Sequence, residues 1–311
     1  MTNVSPSQDC NTVSWTLDDA DFMRVDGRQC HVLDQGHGPP VVALHGLGSM
    51  AQEIALPLLP LSRRYRLIVP DRPGYGGSSS LRRSRLRPDE QAAWLRGVLR
   101  KSGVVRPIIA AHSIAAAVAL SYALSFPNEI AGLVLIAPFC RPTRPARMPL
   151  LRLALMPLVG RFVRDWVYPV LADWFGRNRL VAAFAPNRVP DYLRAMPLRD
   201  LVKSDTLQTM AAELFGFNAA MFARRNALRH LRVPTVVLAG AADRTADPHL
   251  HAAWIARRLP QARLITLPGV GHMLQHTSPN AVIQAVDEVA QLGCRVCVPT
   301  LGVAGSPGLP L

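Results

Sequence analysis

A single serine stands between an apolar segment of strand character and an alanine-rich segment that favours helix. Residues 108–117 read IIAAHSIAAA, with Ser113 at the junction. A sharp turn there would hold the hydroxyl above the sheet, and the free N–H groups of the first helical turn would face an anion forming beside it. This geometry favours acyl chemistry at Ser113, with the N–H of Ile114 as one donor to the oxyanion.

Small residues flank the serine, although neither is glycine. Ala111 and Ala115 occupy the positions that hold glycine in the usual G-x-S-x-G pattern. Strand and helix backbones approach each other closely at such a turn, and each alanine adds one methyl group there. The alternative interpretation of Ser113 is a buried helix N-cap that accepts a hydrogen bond from the first turn of the helix.

A serine nucleophile needs a base and an acid that orients the base, both delivered by loops at the same sheet edge. His272 follows the last predicted strand, residues 262–267, and is the candidate base. Asp243 lies just after a predicted strand over residues 233–240 and is the candidate acid. Asp247 is the alternative acid, but Asp-Pro at this point is typical of the cap and first turn of a helix.

A second oxyanion donor is predicted after an earlier strand. Residues 41–44 form an all-apolar run of the kind found in doubly buried parallel strands, and His45-Gly46-Leu47-Gly48 follows at once. A glycine-containing turn there can direct the N–H of Leu47 at the oxyanion.

The other histidines near these motifs have different predicted roles. We interpret His45 as a structural residue that holds its loop, because His272 fills the role of the base better. His112 precedes the nucleophile on a strand, where neighbours point to opposite faces, so we assign it to packing. His276 lies four residues after His272 and remains an alternative base if that stretch is helical.

Together these residues resemble the α/β-hydrolase family, in a form with a helical cap. The order Ser, Asp, His along the chain is the order of that fold. The matching segments are His45-Gly46, Asp71 to Ser78 (DRPGYGGS), His112-Ser113, Asp243 and Gly271-His272. The resemblance implies a central, mostly parallel sheet, a lid inserted after the sixth strand and no metal or organic cofactor in ester-cleaving members.

The resemblance also bears on activity and on one further residue. Relatives with dehalogenase or epoxide hydrolase activity carry an aspartate at the position of Ser113, which argues against both activities here. Asp71, in the glycine-rich loop, is interpreted as a brace of that loop.

The elements that must position these residues alternate between helix and strand, as in doubly wound parallel α/β sheets. We predict an α/β-hydrolase core over residues 13–138 and 230–292, with a helical cap inserted at residues 139–229. Residues 1–12 and the Gly- and Pro-rich residues 293–311 are predicted to be flexible ends.

The predicted cap concentrates large apolar and aromatic side chains. Its segment over residues 148–163 carries leucines, valines and a phenylalanine punctuated by arginines. Such helices can form the roof of a pocket for an apolar acyl or alkyl group. Burial within an ordinary helical subdomain and contact with a membrane surface are the alternatives.

Composition limits the partners and the compartment. The net charge is +14, but 33 of the 35 basic residues are arginines, and they are scattered through every segment. This distribution and the absence of a nucleic-acid motif lead us to expect no nucleic acid partner. We find no signal peptide and no transmembrane span, and five dispersed cysteines fit reduced thiols in a cytoplasm.

One cysteine pair lies near the C-terminus. Cys294 and Cys297 form a lone C-x-x-C with no partner pair, so we expect neither a metal nor a redox function there. The sequence carries no signal for the oligomeric state.

The sequence therefore predicts a cofactor-independent serine hydrolase that acts on carboxylic esters of small, mostly apolar molecules. The same triad also cleaves carbon–carbon bonds, lactones or thioesters, or transfers acyl groups, and only the pocket distinguishes these reactions. A small-molecule receptor or accessory protein that keeps the triad without turnover is the alternative from another class, since Ala111 and Ala115 could displace the oxyanion donors.

Overall fold

An eight-stranded sheet forms the centre of the computed structural model, which describes residues 22–82, 86–143, 156, 159–162, 166–194, 196 and 204–297. The sheet order is β1-β2-β4-β3-β5-β6-β7-β8. The strands are β1 (Phe22–Val25), β2 (Arg28–Gln35), β3 (Pro40–Leu44), β4 (Arg66–Pro70), β5 (Ile108–His112), β6 (Gly132–Ile136), β7 (Thr235–Gly240) and β8 (Ala262–Leu267).

Most of the sheet is parallel. β1 pairs with β2 and β2 pairs with β4 in antiparallel fashion, whereas every pairing from β4 through β8 is parallel. A tight turn at Asp26 and Gly27, both with positive φ, joins β1 and β2. The mostly parallel α/β sheet predicted from the sequence is confirmed.

Ten α-helices occur in the described parts of the chain. They are α1 (Ala51–Leu58), α2 (Pro88–Lys101), α3 (Ala115–Ser125), α4 (Val159–Phe162), α5 (Tyr168–Phe184), α6 (Asp191–Arg194), α7 (Ser204–Arg224), α8 (Ala252–Ala256), α9 (Leu274–Thr277) and α10 (Pro279–Cys297). Short 3₁₀ helices cover Leu59–Arg63, Pro127–Glu129 and Ala227–His230.

Alternate residues of the central strands enter two apolar cores, one on each face of the sheet. Val42 and Ile109 pack with α2, α3 and α8 on one face, whereas Val41 and Ile108 pack with α1 and α10 on the other. Because both faces are covered, these strands read as unbroken apolar runs. The cores hold the carboxyl ends of β3, β5, β7 and β8 at one edge.

Helices α4 to α7 lie between β6 and β7 in the chain, and we call their described residues the helical insertion. It corresponds in position to the predicted cap. The apolar segment over residues 148–163 lies outside the described residues except for Met156 and residues 159–162, of which Val159 and Phe162 are exposed. The predicted flexible N-terminus, residues 1–12, also lies outside them.

The C-terminal helix extends into the predicted flexible tail. Helix α10 continues to Cys297, five residues beyond the predicted end of the core at residue 292. Gly293, the predicted start of the flexible tail, lies within this helix. This glycine therefore does not end the helix.

Candidate active site

Ser113 occupies a strained turn between β5 and α3. Its φ is +56°, in the left-handed region that residues with a side chain rarely adopt. The backbone N–H of Ser113 donates to Ile136 O at 2.9 Å, and its carbonyl accepts from Phe139 N at 2.9 Å. Ala111 and Ala115 are fully buried on either side. The turn therefore forms with alanines in place of the usual glycines.

The predicted base and acid both lie beside this serine. His272 Nε2 is 2.9 Å from Ser113 Oγ, and His272 Nδ1 is 2.7 Å from Asp243 Oδ2. The other carboxylate oxygen, Asp243 Oδ1, accepts hydrogen bonds from Thr245 N at 2.7 Å and Ala246 N at 2.9 Å. Ser113, His272 and Asp243 are each less than 10% exposed. A hydroxyl, an imidazole and a carboxylate thus form one hydrogen-bonded chain.

The two alternative residues have other partners. Asp247 Oδ1 accepts from His249 N at 2.8 Å and Leu250 N at 3.2 Å, so Asp247 caps the next turn as predicted. His276 lies on α9, where its Nε2 pairs with Glu53 Oε1 and its Nδ1 is 2.7 Å from the Tyr192 hydroxyl. Both ring nitrogens of His276 are therefore engaged away from Ser113.

Glu53 is the centre of a second buried polar cluster. It accepts hydrogen bonds from Ser49 Oγ at 2.6 Å and Gln275 Nε2 at 3.0 Å, in addition to His276. Burial alone would raise the pKa of this carboxyl. The hydrogen bond and the charge of His276 act in the opposite direction, and the resulting pKa is about 2. The carboxylate is therefore ionised in the folded protein.

His112 supports the candidate base directly. The rings of His112 and His272 lie 4.8 Å apart, and His112 Nε2 is 3.2 Å from the carbonyl oxygen of His272. Burial, followed by the nearby charge of His272, lowers the pKa of His112 to about 3. The neutral ring can donate only one proton, which its Nε2 gives to His272 O. The packing role predicted for His112 thus includes holding the backbone of the candidate base.

The loop after β3 lies against the nucleophile. A Cβ atom on Gly46 would be 3.4 Å from Ser113 Cβ and 2.9 Å from His112 Nδ1, so only glycine fits there. None of the hydrogen bonds found among the described residues uses the N–H of Leu47 or of Ile114. These two groups, predicted as oxyanion donors, are available for that role.

His45 is a structural residue of this loop. Its Nε2 accepts from Arg72 N at 2.9 Å, so its Nδ1 carries the proton and donates to Gly46 O at 2.9 Å. Burial, followed by the positive charge of Arg72, lowers the pKa of His45 to about 4, and the ring is neutral at pH 7.

Asp71 braces the glycine-rich loop after β4. Its Oδ1 accepts from Ala51 N at 2.6 Å, and its Oδ2 accepts from Gly77 N at 2.9 Å and contacts His31 Nδ1 at 2.8 Å. Gly76 has a φ of +49°, and a Cβ atom there would overlap the Asp71 carboxylate. The glycine is required because the carboxylate fills the space inside the turn.

Contacts from the helical insertion reach the site and were not predicted. Ala183 O accepts from His272 N at 2.9 Å, and Asn187 Oδ1 accepts from Gly271 N at 3.0 Å. Glu213 pairs with Arg72 in the loop after β4. Glu213 and Glu53 carry no local signal, because their buried partners Arg72 and His276 lie 141 and 223 residues away in the chain.

No group of three or more His, Cys, Asp or Glu side chains within the described ranges is arranged to hold a metal ion. Helices long and apolar enough to cross a bilayer are likewise not found in the part of the chain that the structure covers.

Comparison with known proteins gives a family match over most of the chain. The model of the alpha/beta hydrolase fold family matches residues 39–279. The magnesium-chelatase 30 kDa subunit of Rhodobacter capsulatus is 28% identical over 272 residues, which cover 81% of this chain and 87% of that protein. Lipase 3 of a Moraxella species is 24% identical, covering 77% of this chain and 73% of the lipase.

Solved structures show the same fold. A thermophilic esterase from Thermogutta terrifontis superposes with a TM-score of 0.69 at 24% identity, covering 88% of this chain and 97% of the esterase. This superposition and the extent of the family match agree with the eight-stranded, mostly parallel sheet described above. On these grounds the chain belongs to the alpha/beta hydrolase fold family.

Proposed function

We propose that this protein is a serine hydrolase that cleaves carboxylic esters of small, mostly apolar molecules through an acyl-enzyme intermediate. The observation that carries the proposal is the hydrogen-bonded chain from Ser113 Oγ through His272 to Asp243, with both distances below 3 Å. That arrangement is the one a serine nucleophile needs in order to lose its proton as it attacks.

In the proposed reaction, Ser113 Oγ attacks the acyl carbon while His272 Nε2 takes the hydroxyl proton. Asp243 holds the imidazole in the tautomer with a proton on Nδ1 and stabilises the imidazolium that forms. The N–H groups of Leu47 and Ile114 stabilise the oxyanion. The alcohol leaves with the proton from His272, and water then repeats the sequence on the acyl-enzyme.

The helical insertion is proposed to act as a cap over this site. Its Ala183 and Asn187 contact the loop of the candidate base, and Met210 lies 3.1 Å from where a Cβ atom of Gly48 would be. Contacts to two active-site loops are expected of an element that closes the pocket. Relatives named lipases and a structural neighbour named an esterase are consistent with an ester substrate.

The proposal is tested by labelling the purified protein with a fluorophosphonate and locating the modified peptide by mass spectrometry. A series of p-nitrophenyl esters of increasing acyl length is hydrolysed in parallel. We expect label on Ser113 and turnover. Ser113→Ala should abolish labelling and lower kcat on the order of 10⁶-fold, as in other serine triads.

Ser121→Ala is the matched control. Ser121 lies fully buried on α3, and its hydroxyl has no hydrogen-bond partner among the described residues, so its loss should leave turnover unchanged. A Ser113→Ala variant within tenfold of the wild-type rate would overturn the assignment. Saturable ligand binding without label or turnover would instead favour the receptor alternative.

A further inference from the structure

Arg72 is an almost fully buried arginine whose hydrogen bonds converge on the loop after β3. It is 1% exposed. Its Nε donates to His45 O at 2.8 Å, and one terminal nitrogen donates to Gly46 O at 2.9 Å. The other terminal nitrogen donates to Gln91 Oε1 at 3.0 Å and to Glu213 Oε1. The guanidinium thus joins the loop to the helical insertion.

The carbonyl that Arg72 holds belongs to the same peptide group as a candidate oxyanion donor. Gly46 O and the N–H of Leu47 are the two polar ends of one planar trans peptide and point in opposite directions. Fixing the carbonyl therefore fixes the direction of the N–H. Gly46 O also accepts from His45 Nδ1 at 2.9 Å, so two donors set this peptide plane.

Glu213 balances the charge of Arg72. The carboxylate is 1% exposed, and its second oxygen accepts from the Tyr75 hydroxyl at 2.7 Å, while Gln91 Nε2 lies 3.2 Å from the first. Burial, followed by the charge of Glu213, raises the pKa of Tyr75, so the phenol remains a donor. A buried guanidinium without this carboxylate would be an uncompensated charge, and its position would change to regain solvent or a partner.

We propose that Glu213 is a positioning residue for the oxyanion hole: through Arg72 and the carbonyl of Gly46, this carboxylate of the helical insertion directs the N–H of Leu47. The inference rests on the proposed function of Ser113. If Glu213 has this role, the tetrahedral intermediate is fully stabilised only when the helical insertion is correctly positioned on the core. The alternative is that Glu213 only anchors the insertion to the core.

The two possibilities differ in the kinetic constant that they change. A misdirected oxyanion donor weakens the transition state more than the ground state, so kcat falls while KM changes little. For Glu213→Gln we expect kcat for a p-nitrophenyl ester to fall by about 10- to 100-fold, below the loss for removing a donor outright. The inhibition constant of a trifluoromethyl ketone, whose adduct with serine places an oxyanion in the hole, should rise by a similar factor.

Asn218→Ala is the matched control for loosening the insertion. Asn218 lies on the same helix, α7, and is bonded to the backbone of Thr143 through both side-chain ends, at 2.7 and 3.0 Å. Neither of these hydrogen bonds involves Arg72, Gln91 or Glu213. Its replacement should lower stability but leave kcat and ketone inhibition within about threefold of wild type, since the oxyanion donors are not displaced.

Glu213→Asp, which keeps the charge, should recover part of the lost kcat, and it decides the question if Glu213→Gln does not fold. Wild-type kcat in both Glu213 variants, or a rise in KM alone, would overturn the inference. Failure of the proposed function is distinguishable, because the wild-type protein would then show neither labelling of Ser113 nor turnover.

Discussion

Ser113 combines an unfavourable backbone conformation with a favourable electrostatic position. A positive φ on a residue with a side chain costs on the order of 1–3 kcal/mol, and the hydrogen bonds of its N–H and C=O to Ile136 and Phe139 offset part of that cost. The strain places Oγ 2.9 Å from His272 Nε2. The proposed reaction at Ser113 therefore depends on which nitrogen of His272 carries the proton.

The orientation of His272 depends on a carboxylate that only accepts hydrogen bonds. We expect Asp243→Asn to lower kcat by about 10⁴-fold with a small change in KM, because an amide NH₂ facing Nδ1 favours the wrong tautomer. The asparagine Oδ1 can still accept from Thr245 N and Ala246 N, so the loop should persist. Steady-state kinetics with a p-nitrophenyl ester measure the effect.

Asp247→Asn is the control for this substitution, because an asparagine also caps the turn that Asp247 caps and lies outside the hydrogen-bonded chain. Its kcat should equal the wild-type value. Asp243→Asn with a kcat within tenfold of wild type would contradict the role of Asp243.

At the scale of elements, three of the polar contacts that attach the described part of the helical insertion to the core lie close to the candidate site. Backbone and side-chain groups of residues 183 and 187 bind the loop of His272, Glu213 on α7 binds Arg72, and Tyr192 on α6 binds His276. Each attachment is polar and lies next to a group of the candidate site. The insertion is therefore coupled to the geometry of the site and is more than a cover for apolar surface.

Removing one attachment should have a measurable cost. In Tyr192→Phe the ring remains but His276 Nδ1 loses the hydroxyl at 2.7 Å, and we expect the free energy of unfolding to fall by about 1 kcal/mol. Urea unfolding followed by fluorescence measures it. Asp191→Asn is the control, because this neighbour is 94% exposed in a weak ion pair. Equal stability of Tyr192→Phe and wild type would show that this bond does not hold the insertion.

At the scale of the whole molecule, several buried histidines are kept neutral. Burial is the main cause that lowers the pKa of His45 and His251 to about 4 and that of His112 to about 3. In the unfolded chain each would titrate near 6.5. The folded state therefore binds fewer protons than the unfolded state between about pH 6.5 and pH 4.

This difference predicts acid sensitivity. The contribution of these histidines to the free energy of unfolding is fully present above pH 6.5 and is lost as the pH falls towards 4. The loss is about 1.4 kcal/mol per pH unit for each histidine. His251 Nδ1 accepts from Cys140 N and Arg141 N, both at 3.2 Å, and these bonds require the neutral ring. Urea unfolding between pH 7 and pH 5 should show the decline.

His251→Gln should reduce the slope of stability against pH by the contribution of one histidine, because the glutamine does not titrate. The exposed His249, two residues earlier, provides the control, and His249→Gln should keep the wild-type slope. An unchanged slope in His251→Gln would contradict the predicted cause of the acid sensitivity.

The sequence alone determined the sheet and the three residues of the hydrogen-bonded chain. Residues 41–44 were predicted as a doubly buried strand, and they form the buried part of β3 (Pro40–Leu44). Local patterns were sufficient because apolar runs mark buried parallel strands. The carboxyl ends of such strands share one edge, so residues that follow them meet. Ser113, Asp243 and His272 could therefore be assigned without knowing any distance.

Only the tertiary structure decided how the insertion contacts this site. Arg72 and Glu213 are 141 residues apart, and Glu53 and His276 are 223 apart. No periodicity links such partners, because each is fixed by the packing of separate elements. The flexible tail was predicted to begin at Gly293 for a related reason: a glycine locally favours the end of a helix, whereas the packing of α10 against the sheet is a property of the whole fold.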